Sequence, residues 1–327
     1  MIEKTLHLSI DEDHDGIRLD KFLVEQLGIS RTKILAHIKQ ECVVNGANIP
    51  FTKGGIMLKT DTEVVVHPLP APAETVDEET SAPDDSIYQY IKIIAETDDY
   101  LVISKPAGLL VHPSNEKQYI TLAHWLKRTY PEIISVGEDK VRPGIVHRLD
   151  KETSGVMVVA KTQRMFDLLK TQFQSRTVKK IYHTLVHGII EPDHDILDFL
   201  ISRGVDGKMA SRPNVSVEAL SDVRKVQEGK QAKTEFWVEK RFINHTWLRV
   251  QIHTGRTHQI RVHMFAYNHP VAGDKLYIQK KLKEKDNAPR MFLHAAELSF
   301  DDIDGKRVTF VSHVPDKMRE YINTLSA

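Results

Sequence analysis

The chain has 327 residues, 41% of them hydrophobic, and its 45 lysines and arginines are balanced by 45 aspartates and glutamates. That length suggests two domains, or one large domain with a small appendage, and no run approaches the roughly 20 apolar residues of a membrane helix. Met1-Ile2-Glu3-Lys4 lacks the layout of a signal peptide, and the single cysteine, Cys42, excludes an internal disulfide and an all-cysteine zinc site, so a cytoplasmic location is expected.

The zero net charge hides a segregation. Glu74, Asp77, Glu78, Glu79, Asp84 and Asp85 stand together without a lysine or arginine, while basic residues gather at 18–59, 161–180 and 203–261. A short strand is expected over 5–10. A first helix follows over 18–27, with Leu19, Phe22, Leu23 and Leu27 on one stripe and Gly28 as its stop. Ser30 is placed to cap a second helix over 31–40, whose Ile34, Leu35 and Ile38 face one way and leave Arg31, Lys33 and Lys39 for the other. Residues 42–49 read as two short strands around Asn45-Gly46, and 63–67 as another. The signals RLDKFL, SR and VVNG in this order resemble the small α-L RNA-binding domain shared with a small-subunit ribosomal protein, over roughly residues 16–70. A basic helix face beside a tight turn suits the phosphates of folded RNA, with Arg31, Lys33 and Lys39 as the contacts; a packing module with a solvated face is the alternative.

The chain therefore divides into a small domain (1–70), an acidic, proline-containing linker (71–86) and a large domain (87–327). The large domain opens with a hairpin over 91–104 that runs into Lys105-Pro106-Ala107-Gly108. Thr121 is placed to cap a helix, 156–160 is an apolar strand, and Thr162 caps a helix with Met165, Phe166, Leu169 and Phe173 at core spacing. Strand alternation returns at 178–188. Residues 202–231 have poor periodicity and read as an irregular excursion. A second hairpin, 232–242 and 246–252, leads into a helix beginning near Thr257, then strands at 292–300 and 308–310 and a last helix from Pro315. Strands outnumber helices and hairpins join them, which argues for an α+β fold with a mainly antiparallel sheet.

The seventeen histidines invite a metal hypothesis, with His253, His258 and His263 as the tempting set. Five residues advance a helix by about 500°, leaving consecutive members about 140° apart, and on a strand they fall on opposite faces. Neither an HExxH pair nor a phosphate-cradling glycine motif nor a GxSxG elbow occurs. What remains is one aspartate in the stretch HRLDKETSG (147–155), with several arginines and tyrosines.

That stretch, with KPAG (105–108) ahead of it, KIY (180–182) behind it, TGRTHQIRVH (254–263) further on, and HPVAGD and LHA beyond, resembles the RluA-type family of RNA pseudouridine synthases over nearly all of residues 90–325. The resemblance implies a mixed, mainly antiparallel sheet with a central cleft, no cofactor and no metal. It also implies chemistry that detaches uracil from ribose at N1, rotates it and rejoins it through C5, with an ionised carboxylate acting as nucleophile or as a base on the sugar. Asp150 matches the family's essential aspartate, Arg261 the arginine that pairs with it, and Tyr182 the tyrosine that stacks on the base and is a candidate to assist proton removal from C5. Arg148 is the candidate to fill the gap left by the extruded uridine, with His147 as its neighbour at the RNA or a packed turn histidine. Lys105, Arg256 and His258 are candidate RNA-backbone contacts. Thr184 and Asn268 depart from the usual alanine and glycine of the family pattern. The expected substrate is structured RNA, foremost large-subunit ribosomal RNA of the 23S type or an assembling ribosomal subunit. Transfer RNA is the nearest rival, and a non-catalytic ribosome-assembly factor the reading from another class. No membrane and no protein partner is implied.

Overall fold

The computed structural model describes residues 4–29, 31–68, 85–113, 120–203, 208–213 and 229–326, apart from the side chains of Thr32, Lys33 and Ala36. Ser30 and nearly all of the expected linker lie outside the described residues. The chain divides into two compact units, 1–80 and 81–327.

In the first unit, β1 (Leu6–Ser9), β2 (Val43–Asn45) and β3 (Glu63–Val66) form an antiparallel sheet in the order β1-β3-β2. Helices α1 (Leu19–Leu27) and α2 (Arg31–Lys39) bury Leu19, Phe22, Leu23, Ile34 and Ile38 with Val43, Val64 and Val66. Gly28 ends α1 in the left-handed region, its N–H bonded to the Val24 carbonyl. Leu35, expected in the apolar stripe, is 41% exposed. The expected two-strand hairpin is also reduced: Val44 makes a single bridge to Pro50, and the Asn45 side chain accepts from the N–H groups of Ala47 and Ile49. An aspartate is buried in α1. Asp20 is fully covered and held by two donors each from Arg18 and Arg31.

The second unit is built on a ten-stranded sheet. In chain order its elements are β4 (Lys92–Glu96), β5 (Tyr100–Lys105), α3 (Leu122–Thr129), β6 (Ser154–Ala160), α4 (Gln163–Ser175), β7 (Lys179–His187), β8 (His194–Arg203), β9 (Met209–Pro213), β10 (Lys230–Arg241), β11 (His245–Ile252), α5 (Gln259–Ala266), α6 (Lys280–Lys283), β12 (Leu293–Asp301), β13 (Arg307–Val311) and α7 (Asp316–Thr324). Nine strands run β4-β5-β6-β12-β7-β11-β10-β8-β9, and β13 adds to β12. Thr121 and Thr162 cap α3 and α4 by accepting from His124 and Met165 N–H, as their positions suggested. The excursion expected over 202–231 is in part regular: β8 reaches Arg203, Met209–Pro213 pairs with it, and β10 starts at Lys230. A five-residue strand gives too short an alternation to register against a glycine- and charge-rich background. Residues 204–207 and 214–228 lie outside the described ones.

The pairing of β12 positions the site. Its His294 and Ala295 pair in parallel with Ser154 and Gly155 at the start of β6, its residues 297–301 pair with β13, and its other edge carries β7. Thus the strand that follows the 147–153 loop lies one strand from Tyr182. Gly155 makes the contact possible. Its φ is +123°, and a Cβ there would lie 2.1 Å from the Ala295 carbonyl oxygen. Gly155→Ala is expected to lose at least about 2 kcal/mol of stability through backbone strain and overlap, read as a lowered urea midpoint; an unchanged midpoint contradicts this packing.

Candidate active site

The loop that carries Asp150 is fixed from beneath by a buried cation. Lys105, at the end of β5, is fully buried, and its Nζ donates to the carbonyls of Pro106 (2.9 Å), Leu109 (2.7 Å) and Lys151 (3.2 Å). Burial pushes its pKa down to about 7 against the opposing charges of Asp150 and Glu152. This corrects the RNA-backbone contact expected of Lys105, whose ammonium faces carbonyls rather than solvent. Gly108 N–H also reaches the Lys151 carbonyl, Thr153 N–H closes a turn on the Asp150 carbonyl, and Arg290 donates to the Glu152 carbonyl and Ser154 Oγ.

Helix α5 supplies the partner of Asp150. Arg261 donates through Nη1 to Asp150 Oδ2 at 3.1 Å, and through Nε and Nη2 to Asp274 at 2.6 and 2.9 Å. Asp274 is buried, with its Oδ1 also accepting from Leu276 and Tyr277 N–H. Burial alone would raise its pKa; the bidentate Arg261 and those amides outweigh burial and hold it below the usual carboxylate range. Burial likewise opposes the charge on Arg261, yet Asp274 and Asp150 raise its pKa. Tyr277 covers the guanidinium at 5.0 Å.

Asp150, Tyr182, Arg148, Arg256 and His258 line one cleft of about 110 Å³. Tyr182 is only 8% exposed, and burial, then the charge of Asp150, raises its pKa, so it is a neutral phenol. Next to it lies a larger cavity of about 420 Å³ that shares Arg148, Tyr182 and Arg256 and adds Arg142, Arg176 and Lys180 with no acid in its lining. Lys180 is buried there, its pKa pushed down to about 8 by burial and then by Arg176. Arg148 is exposed, its Nη1 3.3 Å from His112 Nε2. Arg256 is half-buried and donates to the Gln231 carbonyl. His147 stacks on Phe173 and its Nε2 accepts from Val158 N–H; burial and nearby Lys180 take its pKa down to about 3. One ring face and the Nε2 lone pair are used within the protein, as expected of a packed turn histidine, and the residue also lines the larger cavity.

The histidines spaced by five go three ways: His253 pairs with Glu235, His258 with Tyr277, and His263 is buried beside Phe199. Among the described residues no three side chains gather as a metal site, and no helix there is long and apolar enough to cross a membrane. Arg31 and Lys39 belong to the first unit, where Arg31 is tied to Asp20 and Lys39 is exposed. The Lys33 side chain lies outside the described ones. Asp274, Tyr277 and Lys180 were missed as site residues. Asp274 ends the HPVAGD motif and Lys180 opens KIY, so the signal for both stood in the sequence; Tyr277 had none.

The second unit thus joins a ten-stranded, mainly antiparallel sheet to a cleft lined by Asp150 and Tyr182, with Arg261 bonded to Asp150 and a cationic cavity beside it. The model of the RNA pseudouridylate synthase family matches residues 99–266. An uncharacterized RNA pseudouridine synthase of Aquifex aeolicus is 40% identical over 84% of this chain and 81% of its own. The ribosomal large subunit pseudouridine synthase D of Nitrosomonas europaea is 34% identical over 99% of this chain and 88% of its own. In structure, human RNA pseudouridylate synthase domain containing 1 is similar with a TM-score of 0.55 and 25% identity, over 69% of this chain and 84% of that one. The chain belongs to the RNA pseudouridylate synthase family and is an isomerase.

The Arg261–Asp274 pair yields a stability prediction. A depressed folded-state pKa contributes stability above the unfolded carboxylate value near 3.9, and that contribution is lost as pH falls through the lower folded value. Asp274→Asn leaves Arg261 half-paired and is expected to lose about 3–5 kcal/mol at neutral pH. The deficit should shrink on acidification, measured by thermal unfolding between pH 7 and 3. A deficit independent of pH contradicts the ionic account.

Proposed function

We propose that this enzyme converts specific uridines of large-subunit ribosomal RNA to pseudouridine in the cytoplasm, with Asp150 as the reacting carboxylate. The observation that carries the reading is the Arg261–Asp150 contact beside a cleft that Asp150 and Tyr182 both line. The ribosomal substrate is supported by relatives named as large-subunit pseudouridine synthase D that match 99% of the chain, the first unit included.

Extruding a uridine from folded RNA costs a few kcal/mol. Arg148, exposed at the rim, is free to enter the vacated stack, since a guanidinium stacks on bases and binds phosphate at once. Tyr182 offers its ring to the uracil, a contact worth about 1–3 kcal/mol. The carboxylate of Asp150 attacks the sugar or takes a proton from it as the bond to N1 breaks. Arg261 balances that charge while Asp274 keeps the guanidinium from swinging away. The base turns within the cleft and C5 bonds to C1′ as Asp150 leaves the sugar carbon or returns the sugar proton. C5 gives its proton to solvent and N1 takes one up, so the product is an isomer of the substrate. Arg142, Arg176, Lys180 and Arg256 give the larger cavity the charge to hold the adjoining phosphates. The first unit adds a second RNA surface, with Arg31, Lys33 and Lys39 as its phosphate contacts.

Asp150→Asn is expected to abolish pseudouridine formation on bound RNA with little loss of affinity, measured by tritium release from C5 and by filter binding; retained activity defeats the assignment. Removing residues 1–70 should weaken binding and flatten its salt dependence by about one phosphate contact per lost cation. An unchanged slope removes the RNA role of Arg31, Lys33 and Lys39. Pseudouridine mapping in ribosomal and transfer RNA from cells with and without the gene decides between those substrates.

A further inference from the structure

His258 stands in a place that a backbone contact to RNA does not account for. It precedes α5 in the left-handed region, with φ of 57°, and its side chain is partly buried. Its Nδ1 is 2.8 Å from the Tyr277 hydroxyl, and its Nε2 is 3.8 Å from Asp150 Oδ1. Asp150 therefore has one oxygen on Arg261 and the other facing His258. The Tyr277 oxygen also accepts from Met209 N–H at 3.1 Å.

These contacts set the position of a proton. A backbone N–H only donates, so the Tyr277 oxygen accepts from Met209 and its own hydroxyl hydrogen has Nδ1 as the acceptor within reach. An imidazole that accepts at Nδ1 carries its hydrogen on Nε2. The carboxylate across the gap favours the same tautomer, since a bare Nε2 lone pair would face a negative oxygen. Burial lowers the pKa of His258, and the surrounding charges, Asp150 and Asp274 against Arg261 and Arg148, largely oppose one another, so the ring is neutral.

We propose that His258 is a positioning residue for Asp150, its tautomer fixed by the chain Met209–Tyr277–His258 so that an N–H faces the carboxylate oxygen that Arg261 leaves open. At 3.8 Å the N–H orients Oδ1 without being a full hydrogen bond, and it closes when substrate fills the cleft. A neutral donor aligns the carboxylate without a second cation that would reduce its nucleophilicity or basicity. The proposal rests on the reading of Asp150 as the reacting group. It also gives β9 a purpose, because the strand's first residue anchors the far end of the chain.

The test compares single-turnover rate and RNA affinity for His258→Ala, His258→Gln, Tyr277→Phe and the double variant His258→Ala/Tyr277→Phe, with Asp150→Asn as control and thermal unfolding as the check on folding. His258→Ala is expected to slow the chemical step about 10- to 100-fold, the scale of a misplaced reacting group, with RNA Kd unchanged. His258→Gln, which keeps an N–H near the place of Nε2, should recover part of the rate. Tyr277→Phe should slow the step, yet add nothing in the His258→Ala background. A raised Kd with an unchanged step returns His258 to the RNA backbone and overturns the proposal. So do additive losses in the double variant, or no recovery with glutamine in a folded protein. If Asp150→Asn itself stays active, the underlying assignment of the carboxylate fails instead.

Discussion

A buried guanidinium held between two carboxylates is the constraint on which the catalytic cleft depends. Arg261 is covered by protein and by the ring of Tyr277, and such a cation is tolerable only because Asp274 meets it with two hydrogen bonds and Asp150 with a third. The two acids are not equivalent. Asp274 is completely enclosed and supported by backbone amides, so it fixes the arginine; Asp150 lies at the cleft and is fixed by it. A carboxylate that must react cannot also be the anchor of its own partner, and the division of labour between the two resolves that conflict.

The Asp150 loop is similarly held by groups that never meet a substrate. Lys105 gathers three carbonyls from two chain segments, and Gly155 lets β6 approach β12 closely enough to make a parallel pair. These devices place the loop at the seam where an antiparallel sheet changes its pairing. Position is set by backbone, and only then does the side chain of Asp150 have a defined direction.

Much of this could be read from residue order. The helix stripes of α1 and α4, the caps Thr121 and Thr162, the hairpins and the separated motifs carrying Asp150, Tyr182 and Arg261 all have local signals. Distances among those three residues do not, because 111 positions separate Asp150 from Arg261 and only sheet pairing closes the gap. Lys105 and His147 show a different limit. Both stand in motifs that suggest a nucleic-acid contact, and both are drawn inward by hydrogen bonds to backbone groups that no side-chain pattern advertises. Strand β9 was hidden by its brevity, and Tyr277 by lying outside any repeated pattern. Net charge misled in its own way, since the zero sum coexists with a cavity wall lined by arginines and Lys180.

The first unit inverts the arrangement around Arg261, with one acid buried between two arginines. Asp20 is enclosed, while Arg18 and Arg31, which bind it, keep 42% and 60% of their side chains open to solvent. The clamp carries one positive charge in excess, displayed on guanidinium groups whose torsions are already set. Ordering a long flexible side chain on contact with an anion normally costs about 0.5–1.5 kcal/mol. Here part of that loss falls in folding, because Asp20 already holds both guanidinium groups through four hydrogen bonds.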